Sequence, residues 1–137
     1  MGDVTGFNVA LLETLWTAGY LPVIACLGAD AQGRVYNINA DLVGNQLAAA
    51  LGAQRLFLVT STPGVLRDVK DPTSRLAQLT CAQARSAIAD GSVSGGMVPK
   101  LEEAMAVIDE GVGAIHILGK LGTGDLLRAI NEPGSVG

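Results

Sequence analysis

Aromatic side chains are scarce in this sequence, at 4% of its 137 residues, whereas hydrophobic residues make up 49%. A core built from these residues must therefore be aliphatic and rich in alanine. So much apolar side chain argues against a disordered chain, and the length is sufficient for one domain with its own core. The 18 glycines suit an α/β domain, because such domains need many tight turns and close helix–sheet contacts.

Basic residues are also few, since nine lysines and arginines stand against 13 acidic residues and the net charge is −4. This balance argues against nucleic acid or an anionic membrane surface as the main partner. It is compatible with a nucleotide bound locally by backbone N–H groups and one lysine. No apolar run approaches the roughly 20 residues of a membrane-spanning helix, and the first residues do not resemble a signal peptide. We therefore expect a cytoplasmic protein.

Residue types that bind metals are sparse. Cys26 and Cys81 lie far apart and fit no metal-ligand spacing, so we interpret both as buried thiols in a reducing compartment. The single histidine, His116, lies in an apolar run that is typical of a packed strand. The segment that contains Asp30 and Gln32 lacks the further carboxylates of a calcium loop and is interpreted as a turn. The sequence therefore predicts no metal site made by protein ligands.

Segments with helical periodicity alternate with short apolar runs along the chain. This alternation predicts an α/β fold with a mainly parallel sheet and helices on both faces. The expected helices are 9–18, 41–51, 80–89, 99–110 and 125–130, and the expected strands are 21–25, 34–36, 55–60, 65–66 and 114–118. Thr80 and Gln83 have the spacing of a capping box at the start of the third helix.

The segment 33–52 contains a polar elbow, Asn37-Ile38-Asn39-Ala40-Asp41, at the point where a strand becomes a helix. The start of a helix carries unpaired backbone N–H groups and a partial positive charge, which favour an anion or a polar ligand. The alternative is that these amides and the carboxylate only form a turn and a helix cap. The local pattern supports both interpretations equally.

Two further segments have the features of ligand-binding loops. The strand 55–60 runs into Ser61-Thr62-Pro63-Gly64, and ligands of open α/β sheets bind at the carboxyl ends of strands. The segment 92–100 contains paired glycines, which allow close approach of a ligand to the backbone. It ends at Lys100 near a helix start, where a cation is unfavourable unless an anion such as phosphate compensates it. The alternatives are an ordinary Pro-Gly turn and a solvated lysine.

Three segments, in this order and spacing, together resemble the amino acid kinase family: Tyr36–Asp41, Val59–Leu66 and Ser94–Lys100. The resemblance extends over nearly the whole chain. It is strongest to those members of arginine biosynthesis that phosphorylate the side-chain carboxylate of N-acetyl-L-glutamate with ATP. It implies the carbamate kinase-like fold of this family, a three-layer αβα sandwich with a mainly parallel open sheet. This chain resembles the carboxyl-terminal, ATP-binding half of that fold.

The resemblance also implies roles for individual residues. Lys100 would contact the transferring phosphoryl group, and Asp41 would hold the catalytic lysines through charge-assisted hydrogen bonds. Asn37 and Asn39 would bind the acetylated amino acid, and Mg2+ would arrive with the phosphates of ATP. The residues expected to bind ATP follow the two strands and precede the Lys100 helix; they are Thr60, Ser61, Thr62, Pro63, Gly64, Val65, Leu66, Ser92, Val93, Ser94, Gly95 and Met97.

The chain departs from the family pattern in two places. Ser61 occupies a position at which many members have an aspartate. The absence of that carboxylate would weaken contacts with the ribose or adenine. The glycine-rich loop, second lysine and substrate-binding arginine of the family's amino-terminal half have no counterpart here. We therefore expect the chain to be inactive alone and to form a homo-oligomer through an uncovered sheet edge. Two alternatives stay open: a non-catalytic, arginine-sensing regulatory domain, and a kinase for carrier-bound aminoadipate in lysine biosynthesis.

Overall fold

The computed structural model describes residues 2–68 and 70–136 and has an α/β fold. Its helices are α1 Val9–Thr17, α2 Ala40–Ala50, α3 Cys81–Ala89, α4 Met97–Asp109 and α5 Asp125–Asn131. Its strands are β1 Leu27–Ala29, β2 Val35–Asn37, β3 Leu56–Val59 and β4 Ile115–Leu118, and a short 3-10 helix spans Pro72–Ser74. The predicted α/β class is confirmed. Within the described ranges, no helix has the length and apolar character needed to cross a membrane.

The four strands pair in two separate sheets of two strands each. β3 and β4 are parallel, with Leu56 opposite Ile115, as the sequence predicted. β1 and β2 are antiparallel, with Gly28 opposite Tyr36, and a tight turn joins them. The described residues therefore do not by themselves form the single, mainly parallel sheet that was expected.

Asp30 organises the turn between β1 and β2. Its carboxylate accepts hydrogen bonds from the backbone N–H groups of Gln32 and Arg34, at 3.0 and 2.9 Å. It also accepts from Nε of Arg34 at 2.8 Å and from the hydroxyl of Tyr36 at 3.0 Å. These hydrogen bonds, first among them that from the Arg34 backbone, lower the pKa of Asp30. Turn chemistry therefore accounts for this segment, as predicted, and a turn this short imposes antiparallel pairing.

The prediction of a strand at Leu21–Ala25 is wrong, because these residues have no regular secondary structure. Leu21 and Val23 are 88% and 92% exposed. A strand is stable only when its backbone groups pair with a neighbour, and no backbone within the described residues does so here. The predicted strand at Val65–Leu66 is reduced to one isolated bridge between Leu66 and Arg75.

The predicted helix caps are confirmed. Thr80 accepts a hydrogen bond from the backbone of Gln83 at 3.1 Å, and the side chain of Gln83 accepts one from the backbone of Thr80 at 2.8 Å. Asn8 caps α1 through the N–H of Leu11 at 3.1 Å. The predicted apolar face of α1 is nevertheless uncovered, since α1 has no buried residue and Trp16 is 45% exposed.

The core is aliphatic, as predicted, and consists of two clusters. The first cluster lies between α3 and α4 and contains Val65, Ala84, Val93, Met97, Leu101 and Met105. The second cluster contains Ala48, Val107 and Val112, with Leu56 and Ile115 packed against them. Cys26 and Cys81 are free and only partly buried, so the expectation that both thiols are buried is wrong.

His116 gives stability a dependence on pH. Its ring stacks on Phe57 at a centroid distance of 4.5 Å, and burial, followed by the charge of Arg55, lowers its pKa from the usual 6.5. The unfolded chain then binds the proton more readily than the folded chain. We therefore expect the free energy of unfolding to fall as the pH drops below 6.5.

Urea denaturation between about pH 7.5 and about pH 5 measures this effect. The His116→Phe variant keeps an aromatic ring against Phe57 and should lose this part of the pH dependence. The aspartates with lowered pKa, which include Asp30 and Asp71, titrate below 3.8 and leave this range undisturbed. Identical pH profiles for the two proteins would contradict the prediction.

Candidate functional site

Helices α2 and α4 have the same orientation relative to the parallel sheet. Ala48 and Val107, near the ends of these helices, pack in the second cluster with the first residues of β3 and β4. The turns that follow the helices are joined by a hydrogen bond of 3.1 Å from the N–H of Gly113 to the carbonyl of Ala53. The amino ends of both helices therefore point toward the carboxyl ends of β3 and β4. We call this end of the sheet, with its loops, the carboxyl edge.

Asp41 and Lys100 occupy matching positions on these two helices. Asp41 precedes Ala48 by seven residues, and Lys100 precedes Val107 by seven residues. Seven residues are about two helical turns, so each residue lies on the same helix face as its partner in the cluster. Both residues are therefore near the carboxyl edge, on the faces through which α2 and α4 meet. Neither takes part in an ion pair among the described residues.

Asn39 is the N-cap of α2. Its Oδ1 accepts hydrogen bonds from the N–H groups of Asp41, at 2.8 Å, and Leu42, at 3.3 Å. The capping interpretation is therefore confirmed for its oxygen, which leaves the amide nitrogen to meet a ligand. Asn37 is the exposed last residue of β2 and lies on the same elbow. The structure thus keeps the predicted substrate residues beside Asp41.

The loop after β3 is ordered by its own hydrogen bonds. Thr60 donates from its backbone N–H to the carbonyl of Leu118 at 2.7 Å and from Oγ1 to the carbonyl of Thr62 at 3.0 Å. A Cβ atom at Gly119 would lie 2.8 Å from Cα of Pro63, so the backbones after β3 and β4 touch. Ser61 and Pro63 are exposed on this loop. The carboxyl edge therefore presents a preformed Thr-Pro-Gly turn.

The start of α4 has no side-chain cap and few free backbone donors, because the N–H of Val98 donates to the carbonyl of Gly95 at 3.2 Å and Pro99 has no N–H. Its N-cap is Gly96, which has no side chain, and its first turn contains no acidic residue. The preceding Gly95 has a φ of +62°, a conformation that favours glycine. Ser92 donates its N–H to Asp90 at 2.8 Å, which fixes the beginning of this loop. An uncapped helix start of this kind favours an anion.

Five of the residues expected to line the ATP site are buried, among them Gly64. Val65, Val93 and Met97 belong to the first cluster, and Leu66 is 2% exposed. Their side chains are withdrawn from the surface, so the expectation is corrected: only their backbones are placed to face a nucleotide. Because Val65 packs with Val93 and Met97, the loops 60–66 and 92–97 meet beside the carboxyl edge.

Two cavities lie beside the first cluster, and both reach residues near the carboxyl edge. An apolar cavity of about 250 Å³ lies between α3, α4 and β4, and Val65 is the one predicted ATP residue that lines it. A shallow groove of about 340 Å³ runs beside Arg67 and Ser92. Among residues 2–68 and 70–136, no cluster of His, Cys, Asp or Glu has the form of a metal site.

Sequence reasoning missed one buried polar residue, Asn45 in α2. It is 6% exposed, and its Oδ1 has no hydrogen-bond partner. The buried residues of this helix are Val43, Asn45 and Ala48, whereas Ala50 is exposed. The signal that identifies Asn45 is its spacing of one turn from Asp41.

A model of the amino acid kinase family matches residues 1–119 of this chain. The acetylglutamate kinase of Sorangium cellulosum is 59% identical over 137 residues, which are 100% of this chain and 48% of the relative. The acetylglutamate kinase of an Anaeromyxobacter species is 58% identical over the whole chain and 51% of the relative. The chain therefore spans about half the length of these curated relatives.

Two solved structures resemble this fold. The protein smu.665 from Streptococcus mutans superposes with a TM-score of 0.66 and 33% identity, over 86% of this chain and 46% of that one. The N-acetylglutamate synthase from Neisseria gonorrhoeae, complexed with coenzyme A and N-acetyl-glutamate, superposes with a TM-score of 0.78. The superposition covers 94% of this chain and 29% of the synthase. At 24% identity, the similarity concerns the fold alone.

Proposed function

Because this chain belongs to the amino acid kinase family, we propose that it forms the ATP-binding half of an acetylglutamate kinase. The reaction transfers the terminal phosphoryl group of ATP to the side-chain carboxylate of N-acetyl-L-glutamate in arginine biosynthesis. The observation that carries this proposal is the matching position of Asp41 and Lys100 on two packed helices. Their shared direction brings a carboxylate and an ammonium to the same edge of the parallel sheet.

Phosphoryl transfer requires positioning and positive charge more than covalent catalysis. In our proposal the Lys100 ammonium contacts the transferring phosphoryl group and stabilises its charge. The uncapped start of α4 adds to this positive potential. Asp41 orients the ammonium as a hydrogen-bond acceptor, while Asn37 and Asn39 contact the acetylated amino acid.

ATP lies, in this proposal, across the loops 60–64 and 92–97. Exposed hydroxyls of Ser61 and Ser94 and the exposed backbone at Gly95 are the groups placed to meet it. The described residues offer no cluster of carboxylates. This fits a magnesium ion held chiefly by the phosphates, where it supplies charge neutralisation when bound.

We further propose that the two small sheets belong to a three-layer αβα sandwich completed by another half of the protein. Uncovered apolar residues support this, because Leu21, Val23 and Val35 are 88%, 92% and 67% exposed. The length of the curated relatives, about twice that of this chain, supports it as well. The same uncovered surface favours association between copies of the chain, and a chain that lacks half of its site is inactive alone.

A second candidate is an arginine-sensing regulatory domain without catalysis. Ser61 favours it, because this position at the carboxyl edge lacks the carboxylate common in the catalytic members. Lys100 and Asp41 oppose it, since a sensor needs no phosphoryl-transfer pair. A kinase for carrier-bound aminoadipate is a third candidate, which differs from the first in substrate alone.

Calorimetric titration with Mg·ATP and, separately, with L-arginine distinguishes the first two candidates. We expect saturable binding of Mg·ATP, with a dissociation constant between about 1 μM and about 1 mM, and no binding of arginine. The Gly119→Ala variant should weaken Mg·ATP binding about tenfold, because the new Cβ would displace Pro63 and the carbonyl of Thr62.

The matched control is Gly44→Ala inside α2, where a Cβ meets no atom within 4 Å. Its affinity for Mg·ATP should equal that of the unchanged chain. Arginine binding without ATP binding would reject the kinase proposal and favour the regulatory domain. Equal affinities for the two glycine variants would show that ATP does not contact the loop after β3.

A further inference from the structure

Asn45 is the one polar residue among the described residues that is buried, with 6% of its surface exposed. Its Oδ1 is withdrawn from solvent and accepts no hydrogen bond. Burial of an amide oxygen without a partner is unfavourable, and buried polar groups in folded proteins are nearly always paired. We therefore expect a hydrogen-bond donor to reach this oxygen in the active protein.

The direction of Asn45 follows from the helix geometry. Asn45 lies one turn after Asp41 and nearly one turn before Ala48, so the three share a face of α2. Ala48 packs in the second cluster with Val107 of α4. Asn45 therefore faces α4, one turn deeper than Asp41.

The facing surface of α4 offers one side-chain donor. Lys100, Ala104 and Val107 recur at spacings of four and three residues and share this face. Alanine and valine have no hydrogen-bonding side chain. No donor lies within hydrogen-bond distance of Oδ1 of Asn45 in the structure. The stem of a lysine is about as long as one helical turn of about 5.4 Å, so a change of rotamer would carry the Lys100 ammonium from the level of Asp41 to that of Asn45. Lys100 is half-buried and unpaired among the described residues.

We propose that Asn45 is a positioning residue for Lys100, a role that rests on the proposed kinase function. An ammonium has three N–H donors. Oδ1 of Asn45 accepts the first, the carboxylate of Asp41 accepts the second, and the third is directed to the phosphoryl oxygen. The two acceptors, one turn apart on α2, thus fix the height and direction of the cation at the carboxyl edge.

Nuclear magnetic resonance of the lysine ammonium groups tests this contact in the 137-residue chain. The sequence has three lysines, Lys70, Lys100 and Lys120, and the other two are exposed. A hydrogen-bonded ammonium exchanges its protons with water more slowly. We expect the ammonium protons of Lys100 to exchange slowly in the unchanged chain. In Asn45→Leu their exchange rate should rise about fivefold or more and reach the rate of Lys70 and Lys120. Gln46→Leu, which removes the neighbouring amide, should leave the rate at Lys100 unchanged.

The thermal midpoint separates positioning from a structural role. Asn45→Leu removes a buried amide, so the midpoint should stay equal or rise by about 2–5 °C, whereas loss of a structural hydrogen bond would lower it. The reciprocal variant Lys100→Met alters the helix near its exposed end and should shift the side-chain amide resonances of Asn45. This second variant decides the question if Asn45→Leu does not fold.

Two results would overturn the proposal: unchanged exchange at Lys100 in Asn45→Leu, or unchanged Asn45 resonances in Lys100→Met. Neither measurement involves ATP. If the substitutions change the exchange at Lys100 and the resonances of Asn45, but the chain binds no Mg·ATP, the kinase function is refuted and the Asn45–Lys100 contact is retained. A chain that binds Mg·ATP without these changes would retain the function and refute the role of Asn45.

Discussion

Replacing Lys100 by methionine in a reconstituted enzyme is expected to lower kcat by about 10²–10³-fold, or about 2.7–4 kcal/mol of transition-state stabilisation. Methionine keeps much of the apolar stem and removes the charge that, in the proposed mechanism, stabilises the transferring phosphoryl group. KM for ATP should change much less, because the loops 60–64 and 92–97 remain. The reconstitution would mix this chain with the remaining part of the Sorangium cellulosum acetylglutamate kinase, of which the chain covers 48%.

Release of ADP in the presence of N-acetyl-L-glutamate measures this effect. Lys70→Met is the matched control, because Lys70 is exposed in a loop outside the proposed site, and its kcat should change by less than about twofold. Equal rates for the two variants would remove Lys100 from the mechanism. Full turnover by the chain without the added half would refute the proposal that it is half of the enzyme.

The largest expected effect on stability comes from Leu118→Ala. Leu118 ends β4, is 1% exposed, and its carbonyl accepts the N–H of Thr60 at 2.7 Å. Truncation of a fully buried leucine leaves a cavity and should lower the free energy of unfolding by about 3 kcal/mol. This is a large part of the roughly 5–15 kcal/mol that stabilises a typical domain, and urea denaturation measures it.

Leu127→Ala is the control for this substitution. Leu127 lies on α5 and is 66% exposed, so the same chemical change should cost less than about 0.5 kcal/mol. Similar losses at both positions would show that β4 is not the buried centre of the fold. A smaller loss at Leu118 than at Leu127 would contradict the assignment of the core.

Features set by neighbours in sequence could be predicted from the sequence. The capping box at Thr80 and Gln83 depends on residues three apart, and its geometry was confirmed. The parallel pair of β3 and β4 followed from two apolar runs that each come after a helix. The polar elbow at Asn39 was also located correctly, because helix starts have strong residue preferences.

Features set by distant partners were not predicted. The run Leu21–Ala25 has the composition of a strand, but a strand needs a neighbouring backbone, which composition does not reveal. The burial of Asn45 was not predicted, because helical periodicity identifies the buried face of a helix from its apolar residues, and an amide side chain is not one of them.

The candidate site was predicted in part for the same reason. Motif order placed Asp41 and Lys100 on two helix starts, and the directions of those helices bring both starts to one edge. The motif did not distinguish backbone from side chain, so Val93 and Met97 were expected in the site although their side chains fill the core. Some residues of a binding loop contact the ligand, and others anchor the loop in the core. A sequence motif contains both and does not distinguish them.

The parallel pairing of Leu56 with Ile115 has a consequence for synthesis on the ribosome. These residues lie nearly half the chain apart, and closure of so long an intervening segment is entropically costly. β3 therefore emerges with its edge groups unpaired and waits through the translation of α3 and α4 before β4 arrives. During that interval the nascent polypeptide exposes an unsatisfied strand, a period in which a chaperone would bind it and a second nascent chain would aggregate with it.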